Sequence, residues 1–300
     1  MSDNVNNRLL EVLEIGLQHE QQHQELLYYD IKYILGNNPL FPVYLSNKKN
    51  DTPSTAAQLG FLTVDEGIYT IGHGNNDFCF DNEKGVHQVF LHAYSVSDRL
   101  TTNGEYLEFM QDGGYKDFSL WLSEGWEWNK NEQIKAPLYW HLINNVWHQY
   151  TMFGLLPVDL NQPISHTNYY EASAFAKWKG MRLPTEFEWE VACKNHQPSI
   201  PLSANLSDLD NFGPVQPMDN NYQFYGDLWE WTSSSYLPYP YYATPEGALG
   251  EYNGKFMINQ MVLRGGSFAT PSDHIRSTYR NFFHPHLRWH FTGIRLAQYV

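Results

Sequence analysis

Cysteine is nearly missing from this 300-residue chain. Cys79 and Cys193 stand far apart, so neither a disulfide framework nor a thiolate metal cluster is indicated. Positive charge is scarce as well. With 19 Lys and Arg against 33 Asp and Glu, the net charge of −14 disfavours nucleic acid and anionic membrane surfaces as partners. No long apolar run, lipidation motif, leader-like segment or internal repeat is read in the sequence, and a soluble cytoplasmic protein is expected. What the chain has in excess is rings. Aromatic residues make up 16% of it, with 21 Tyr and 10 Trp, too many for a plain helical core. That composition suits a loop-rich fold pinned by side chains with an apolar body and a polar tip.

Residues 1–36 read as one amphipathic helix, with Ser2, Asp3 and Asn4 as cap candidates and a stop at Gly36-Asn37-Asn38-Pro39. Leu9, Leu13, Leu17, Leu27, Ile31 and Ile34 recur at helical spacing. One helix cannot bury its own stripe, so it must dock on the rest of the chain or belong to a bundle with other helices. His19 and His23, four residues apart, stack on one face beside that stripe and can hold one metal ion together. They either lie on a solvated polar face or point into a seam between helices, where bundle metal sites are built. Two imidazoles do not complete a site, and this segment supplies no third ligand.

Residues 37–60 are rich in Pro, Asn, Ser and Thr and read as a linker. From Phe61 short alternating runs appear, Gly67 to Gly72 and Val86 to Leu91 among them, with further strands at Met261–Arg264 and Gly293–Ala297. Helices are expected over Thr101–Met110, His166–Lys179 and Pro184–Cys193, the last with Thr185 capping towards Glu188. The paired Trp229 and Trp231 flank Glu230, whose acidic group needs a buried partner such as Arg182 or Arg264.

Several phrases occur in a definite order between residue 61 and the C-terminus. They are Asp81-Asn82-Glu83, Thr102 to Tyr106 (TNGEY), Met181 to Glu190 (MRLPTEFEWE), Gly226 to Thr232 (GDLWEWT), Leu263 to Phe268 (LRGGSF) and Gly293 to Ala297 (GIRLA). In that order they resemble the formylglycine-generating-enzyme superfamily, a variant of the C-type-lectin-like fold with little regular secondary structure. Trp and Gly clusters of this kind hold loops together more often than they bind substrate. The copper-dependent formylglycine generators use a cysteine pair, and Cys79 and Cys193 are not placed like it. With the His19–His23 helix ahead of this domain, the chain resembles the iron-dependent sulfoxide synthases of ergothioneine biosynthesis. Gly247 to Phe256 (GALGEYNGKF), Tyr279 to Pro285 (YRNFFHP) and Arg288 to Gly293 (RWHFTG) strengthen the likeness.

The resemblance implies an α+β fold: a helix of a DinB-like four-helix bundle over 1–36, a linker over 37–60 and a formylglycine-generating-enzyme-like domain over 61–300. It implies an Fe(II)- and O₂-dependent enzyme joining cysteine or γ-glutamylcysteine to hercynine (Nα-trimethylhistidine) as a sulfoxide. His19 and His23 match two iron ligands; Gln22 and Asn281 match residues contacting hercynine, with Phe282 and Phe283 lining its pocket. Arg288 is a candidate for the thiol substrate's carboxylate, or for a structural ion pair. In the family an acidic residue near Phe283 goes with γ-glutamylcysteine, and its absence here leans towards free cysteine. The family's third histidine lies on an earlier helix of the bundle, so one iron ligand is expected from elsewhere: His284, His286 or His290, or a separate chain supplying the bundle. Tyr236, Tyr239, Tyr241, Tyr242 and Tyr252 are possible proton donors. An ovothiol-type synthase acting on histidine and a non-catalytic lectin-like binding module remain the alternatives.

Overall fold

The computed structural model of the chain describes residues 2–46, 57–216, 221–244 and 253–300. The side chains of Ser2, Asp3 and Asn4, the 47–56 stretch of the expected linker, Gly247 to Glu251, and Tyr252 lie outside what is described. A single helix, α1 (Ser2–Gly36), precedes β1 (Phe61–Val64), β2 (Gly67–Ile71), β3 (His87–Leu91) and β4 (Tyr94–Ser97). Then come α2 (Asn103–Gln111), α3 (Ser123–Asn131), β5 (Trp140–Ile143), β6 (Val146–Thr151) and β7 (Gly154–Pro157). The remainder comprises α4 (Tyr169–Trp178), α5 (Glu186–His196), β8 (Trp229–Ser235), β9 (Met261–Arg264), β10 (Asn281–Phe283), β11 (Thr292–Gly293) and β12 (Ala297–Tyr299). The architecture is α+β. No helix among the described residues is long and apolar enough to cross a membrane.

Among the described residues four small sheets share the work: β1-β4-β12, the hairpin β2-β3, the meander β5-β6-β7, and β10-β9-β8-β11. The last is antiparallel except for the short parallel β8–β11 pairing, and its β10 edge carries Asn281, Phe282 and Phe283. Such short strands cannot hold a fold by ladder alone, and buried ion pairs fill the gaps between them. Arg264 bridges Glu186 and Glu190, Arg280 also meets Glu186, and Arg295 meets Glu230. The partner of Glu230 is therefore Arg295, together with the Trp189 indole N–H at 2.6 Å. Arg182 is taken by Glu188 and Arg264 by the two glutamates of α5.

Three helices open on capping boxes, and each uses its glutamate twice. Thr102–Glu105, Asn168–Glu171 and Thr185–Glu188 exchange side-chain and backbone hydrogen bonds at the starts of α2, α4 and α5. The same three carboxylates pair with Arg99, Arg288 and Arg182. Arg99 and Arg182 come from the turn just ahead of their helices, whereas Arg288 ties the start of α4 to a segment 117 residues away.

α1 docks through a face its apolar periodicity does not announce. Glu25, Tyr29, Lys32 and Gly36 are buried, while Leu17 is 70% exposed, Leu27 58% and Ile34 67%. At about 100° per residue, positions 18, 22, 25, 29, 32 and 36 fall within about 40° of one line, on the side opposite the leucines. The stripe expected to be buried therefore faces outward. Gly36 closes the contact: a Cβ there would stand 2.8 Å from the Tyr139 ring.

Lys32 sits in this interface with its ammonium over the Tyr139 and Phe291 rings and donates to His166 Nε2 at 2.7 Å. His166 Nδ1 faces the Arg288 carbonyl at 3.3 Å, so its proton lies there and Nε2 accepts. Burial pushes the Lys32 amine from 10.5 down to about 7. A lysine charged in the unfolded chain but neutral when folded makes the native state bind fewer protons between those values. Stability therefore rises with pH from 7 towards 10.5, and the desolvation cost is carried in full below pH 7. Relative to Lys32→Met, the wild-type protein should gain on the order of 1 kcal/mol per pH unit between pH 7.5 and 9 in urea unfolding. Parallel pH profiles for the two proteins would show that Lys32 stays charged.

Candidate functional site

Where α1 crosses the β10 edge, the two elements leave a cleft of about 290 Å³ lined by His19, Gln22, His23, Tyr279, Asn281, Phe282 and Phe283. Six of the seven sites expected from sequence thus meet at one place, although residues 19–23 and 281–283 are more than 250 positions apart.

The rotation of α1 about its axis decides where the histidines aim, and one carboxylate fixes that rotation. Buried Glu25 accepts from the Trp229 indole N–H at 2.8 Å, from Thr270 at 2.8 Å, from Tyr29 at 2.6 Å and from Ser267. Four donors, from strand β8, the loop after β9 and the helix itself, converge on one side chain. With Glu25 on the domain, His19 and His23 fall at the flank of the helix, facing the cleft.

Their Nε2 atoms are 3.0 Å apart, with the rings edge to face. Two nitrogens about 2.1 Å from one metal stand about 3.0 Å apart at right angles and about 3.4 Å apart at a tetrahedral angle. At 3.0 Å the two nitrogens can reach one metal ion, and they also stand at the distance of an N–H···N hydrogen bond. Burial, then the neighbouring His23, lowers the pKa of His19, which keeps it in the neutral form a ligand needs. Among the described residues no group of three His, Cys, Asp or Glu is placed to hold a metal. His284 and His286 are exposed on another face, and His290 is buried behind Phe283, its ring 4.0 Å from the phenyl. None of the three completes the pair.

The opposite wall is aromatic. Phe282 stacks on Tyr236 with centroids 4.0 Å apart and lies 5.7 Å from Phe256, forming a short ladder of rings. Asn281 turns its side-chain oxygen to the Phe282 amide at 2.9 Å. Arg280 also lines the cleft, but its guanidinium is already paired with Glu186. Gln22 donates to the Tyr279 hydroxyl.

Arg288 stands apart. It pairs with Glu171 at 3.2 Å and bonds the Ala136 carbonyl at 3.0 Å, tying down the start of α4. Of the tyrosines expected as proton donors, Tyr236 is bound by Asn82, Tyr239 lies between Glu186 and Arg264, Tyr242 binds Asp81, and Tyr241 is exposed. The tyrosines that do line the cleft are Tyr29 and Tyr279. Glu25 and Tyr29 carry no signal in the sequence, and Trp229 and Tyr279 stand in quoted phrases without being given a part in the site. Trp229 lies in a phrase that reads as scaffold, and Glu25 in a run of polar residues, so only the three-dimensional contact exposes their role.

The family described as "Sulfatase-modifying factor enzyme 1-like domain" matches residues 47–218 and 215–300. A hercynine oxygenase of Mycolicibacterium thermoresistibile is 30% identical over 93% of this chain and 67% of its own length. Another from Mycolicibacterium smegmatis is 34% identical over 72% of this chain and 55% of its own. The chain thus spans between 55% and 67% of the length of these two relatives. Among solved structures, PvdO from Pseudomonas aeruginosa superposes with a TM-score of 0.53 at 17% identity, covering 83% of this chain and 100% of that one. At that identity the likeness speaks for the fold alone.

Removing the carboxylate at position 25 leaves four buried donors without their acceptor. Glu25→Ala should cost about 2–4 kcal/mol of stability. In hydrogen–deuterium exchange, amides of residues 16–36 should open while those of 186–196 stay protected. Unchanged exchange along α1 would mean that other contacts hold the helix.

Proposed function

Because this chain belongs to the sulfatase-modifying factor enzyme 1-like family, on its hercynine-oxygenase side, we propose that it takes part in Fe(II)- and O₂-dependent formation of a carbon–sulfur bond between cysteine and hercynine. The balance is simple. Hercynine loses the hydrogen at imidazole C2, the thiol loses its proton, and O₂ supplies one oxygen to the sulfoxide and one to water. The observation that carries this reading is the convergence of the His19–His23 pair, Gln22, Asn281 and a ladder of rings on one cleft.

Each feature has a task in it. Neutral imidazoles at His19 and His23 would hold the iron, and a softer thiolate completes such a site well. When bound, the iron supplies the means of reducing O₂ next to the thiol, turning a collision between three partners into an intramolecular step. Gln22 offers an amide to the substrate imidazole without competing strongly for metal. Asn281 supplies a polar contact at the same end of the cleft. The faces of Phe282 and Phe256 suit a trimethylammonium group, whose positive charge is attracted by ring quadrupoles, with Tyr236 stacked behind Phe282. An uncharged Phe283 favours cysteine over γ-glutamylcysteine, since no acidic side chain near that position selects the larger thiol.

The third ligand is proposed to come from a helical segment that also covers the outward stripe of α1. Leu9, Leu13, Leu17, Leu27 and Ile34 form an apolar face beside the histidine pair, which is the position such a segment would take. A partner of that kind would bury the stripe and bring a histidine to the cleft in one docking event. A non-catalytic binding module is the second reading, favoured by the two-nitrogen site among the described residues.

The test is sulfoxide formation from hercynine and cysteine after anaerobic loading with Fe(II) and admission of O₂, followed by mass spectrometry. Product at the mass of the sulfoxide, reduced at least 100-fold in His23→Ala, is the expected result. Hercynine binding without product would favour the binding module. Neither binding nor product would remove the proposal, and equal turnover of unmethylated histidine would move it to the ovothiol type.

A further inference from the structure

Gln22 is gripped from behind the cleft by a relay that settles which end of its amide faces inward. His274, fully buried after β9, presents Nδ1 at 2.5 Å from the Gln18 side-chain oxygen and Nε2 at 3.2 Å from the Tyr279 hydroxyl. An amide oxygen can only accept, so the His274 proton sits on Nδ1 and Nε2 carries the lone pair. The Tyr279 hydroxyl then gives its proton to His274, and its oxygen accepts from the Gln22 amide nitrogen. Burial lowers the His274 pKa to about 3, so the ring stays neutral and the relay keeps its direction. Phe80 stands edge-on to both rings, at 6.0 Å from His274 and 5.6 Å from Tyr279, and fixes their planes. Gln18 and Gln22 are one helical turn apart, so both ends of the relay close on the same face of α1.

We propose that His274 and Tyr279 are positioning residues that hold Gln22 with its carbonyl oxygen towards the cleft, so that the site selects an imidazole through a ring N–H. One N–H of the amide is held by Tyr279, which fixes the amide's orientation and turns its oxygen towards the cleft as the acceptor a substrate meets. A ring nitrogen bearing hydrogen gains a bond there. One bearing a methyl group or only a lone pair meets a desolvated oxygen with nothing to accept, which is a stronger basis for rejection than shape alone. This inference rests on the imidazole-bearing substrate argued above and adds how that substrate is oriented.

A double-mutant cycle on hercynine binding, read by calorimetry without turnover, tests it. Tyr279→Phe keeps the ring and should weaken binding about three- to tenfold. In a Gln22→Ala background the same change should have no further effect, because there is no amide left to orient. His274→Gln, whose amide can donate to Gln18 and accept from Tyr279, should bind more tightly than His274→Leu. Wild-type protein should also discriminate against hercynine methylated on one ring nitrogen, and Tyr279→Phe should narrow that preference. Additive losses in the cycle, or wild-type affinity in Tyr279→Phe, overturn the positioning role while leaving the cleft's function intact. Failure of the wild-type protein to bind hercynine would overturn both.

Discussion

The convergence of four hydrogen-bond donors on Glu25 is the interaction from which the site's geometry follows. A helix docked through leucines can roll by a few degrees at little cost, because apolar contacts are not directional. A carboxylate accepting from an indole, two hydroxyls and a phenol cannot, since each bond weakens steeply with angle. The polar face of α1 therefore sets the helix's rotation more sharply than an apolar one would. That matters because His19 and His23 lie at its flank, where a roll of one residue's arc would carry them out of the cleft. The outward apolar stripe follows from the same choice, since the face that satisfies Glu25 is opposite the leucines.

The domain that receives the helix solves a different problem. Its strands are short and its loops long, so direction has to come from side chains instead of ladders. Arginine–glutamate pairs supply it at the centre, where Arg264, Arg280 and Arg295 are fully buried and each faces a glutamate. The doubled use of Glu105, Glu171 and Glu188 supplies it at the helix starts. Buried ion pairs of this kind add little net stability, but they penalise any arrangement that separates them. The cleft profits from that rigidity: its aromatic ladder and its arginine are held by partners that do not face the ligand.

Much of this was legible in the sequence, and the parts that were not share a cause. The histidine pair, the capping box from Thr185 to Glu188 and the strand at Met261–Arg264 are local patterns, and each lies where its spacing implied. Asn281, Phe282 and Phe283 came from resemblance, and the structure brings them to the same cleft as the histidines. Glu25, Tyr279 and His274 had no local signature, because their partners are more than 200 residues away. The periodicity of α1 leaves two partners open for its apolar stripe, the rest of the chain or other helices of a bundle, and does not disclose the polar face that docks here. Apolar spacing reports which side a helix can bury, and here the described contacts use another side. Arg288 is the reverse case, a residue with the right chemistry for a substrate carboxylate that a structural glutamate already occupies.

The central claim is that α1, held by its polar face, presents His19 and His23 as two adjacent ligands at the mouth of an imidazole-binding cleft. Its most direct test is the anomalous difference map of crystals of this protein prepared anaerobically with Fe(II) and hercynine. The account predicts a single strong peak within bonding distance of both Nε2 atoms, with the hercynine ring against Gln22 and its trimethylammonium against Phe282 and Phe256. A peak elsewhere, or an empty histidine pair with hercynine bound at another surface, would contradict it.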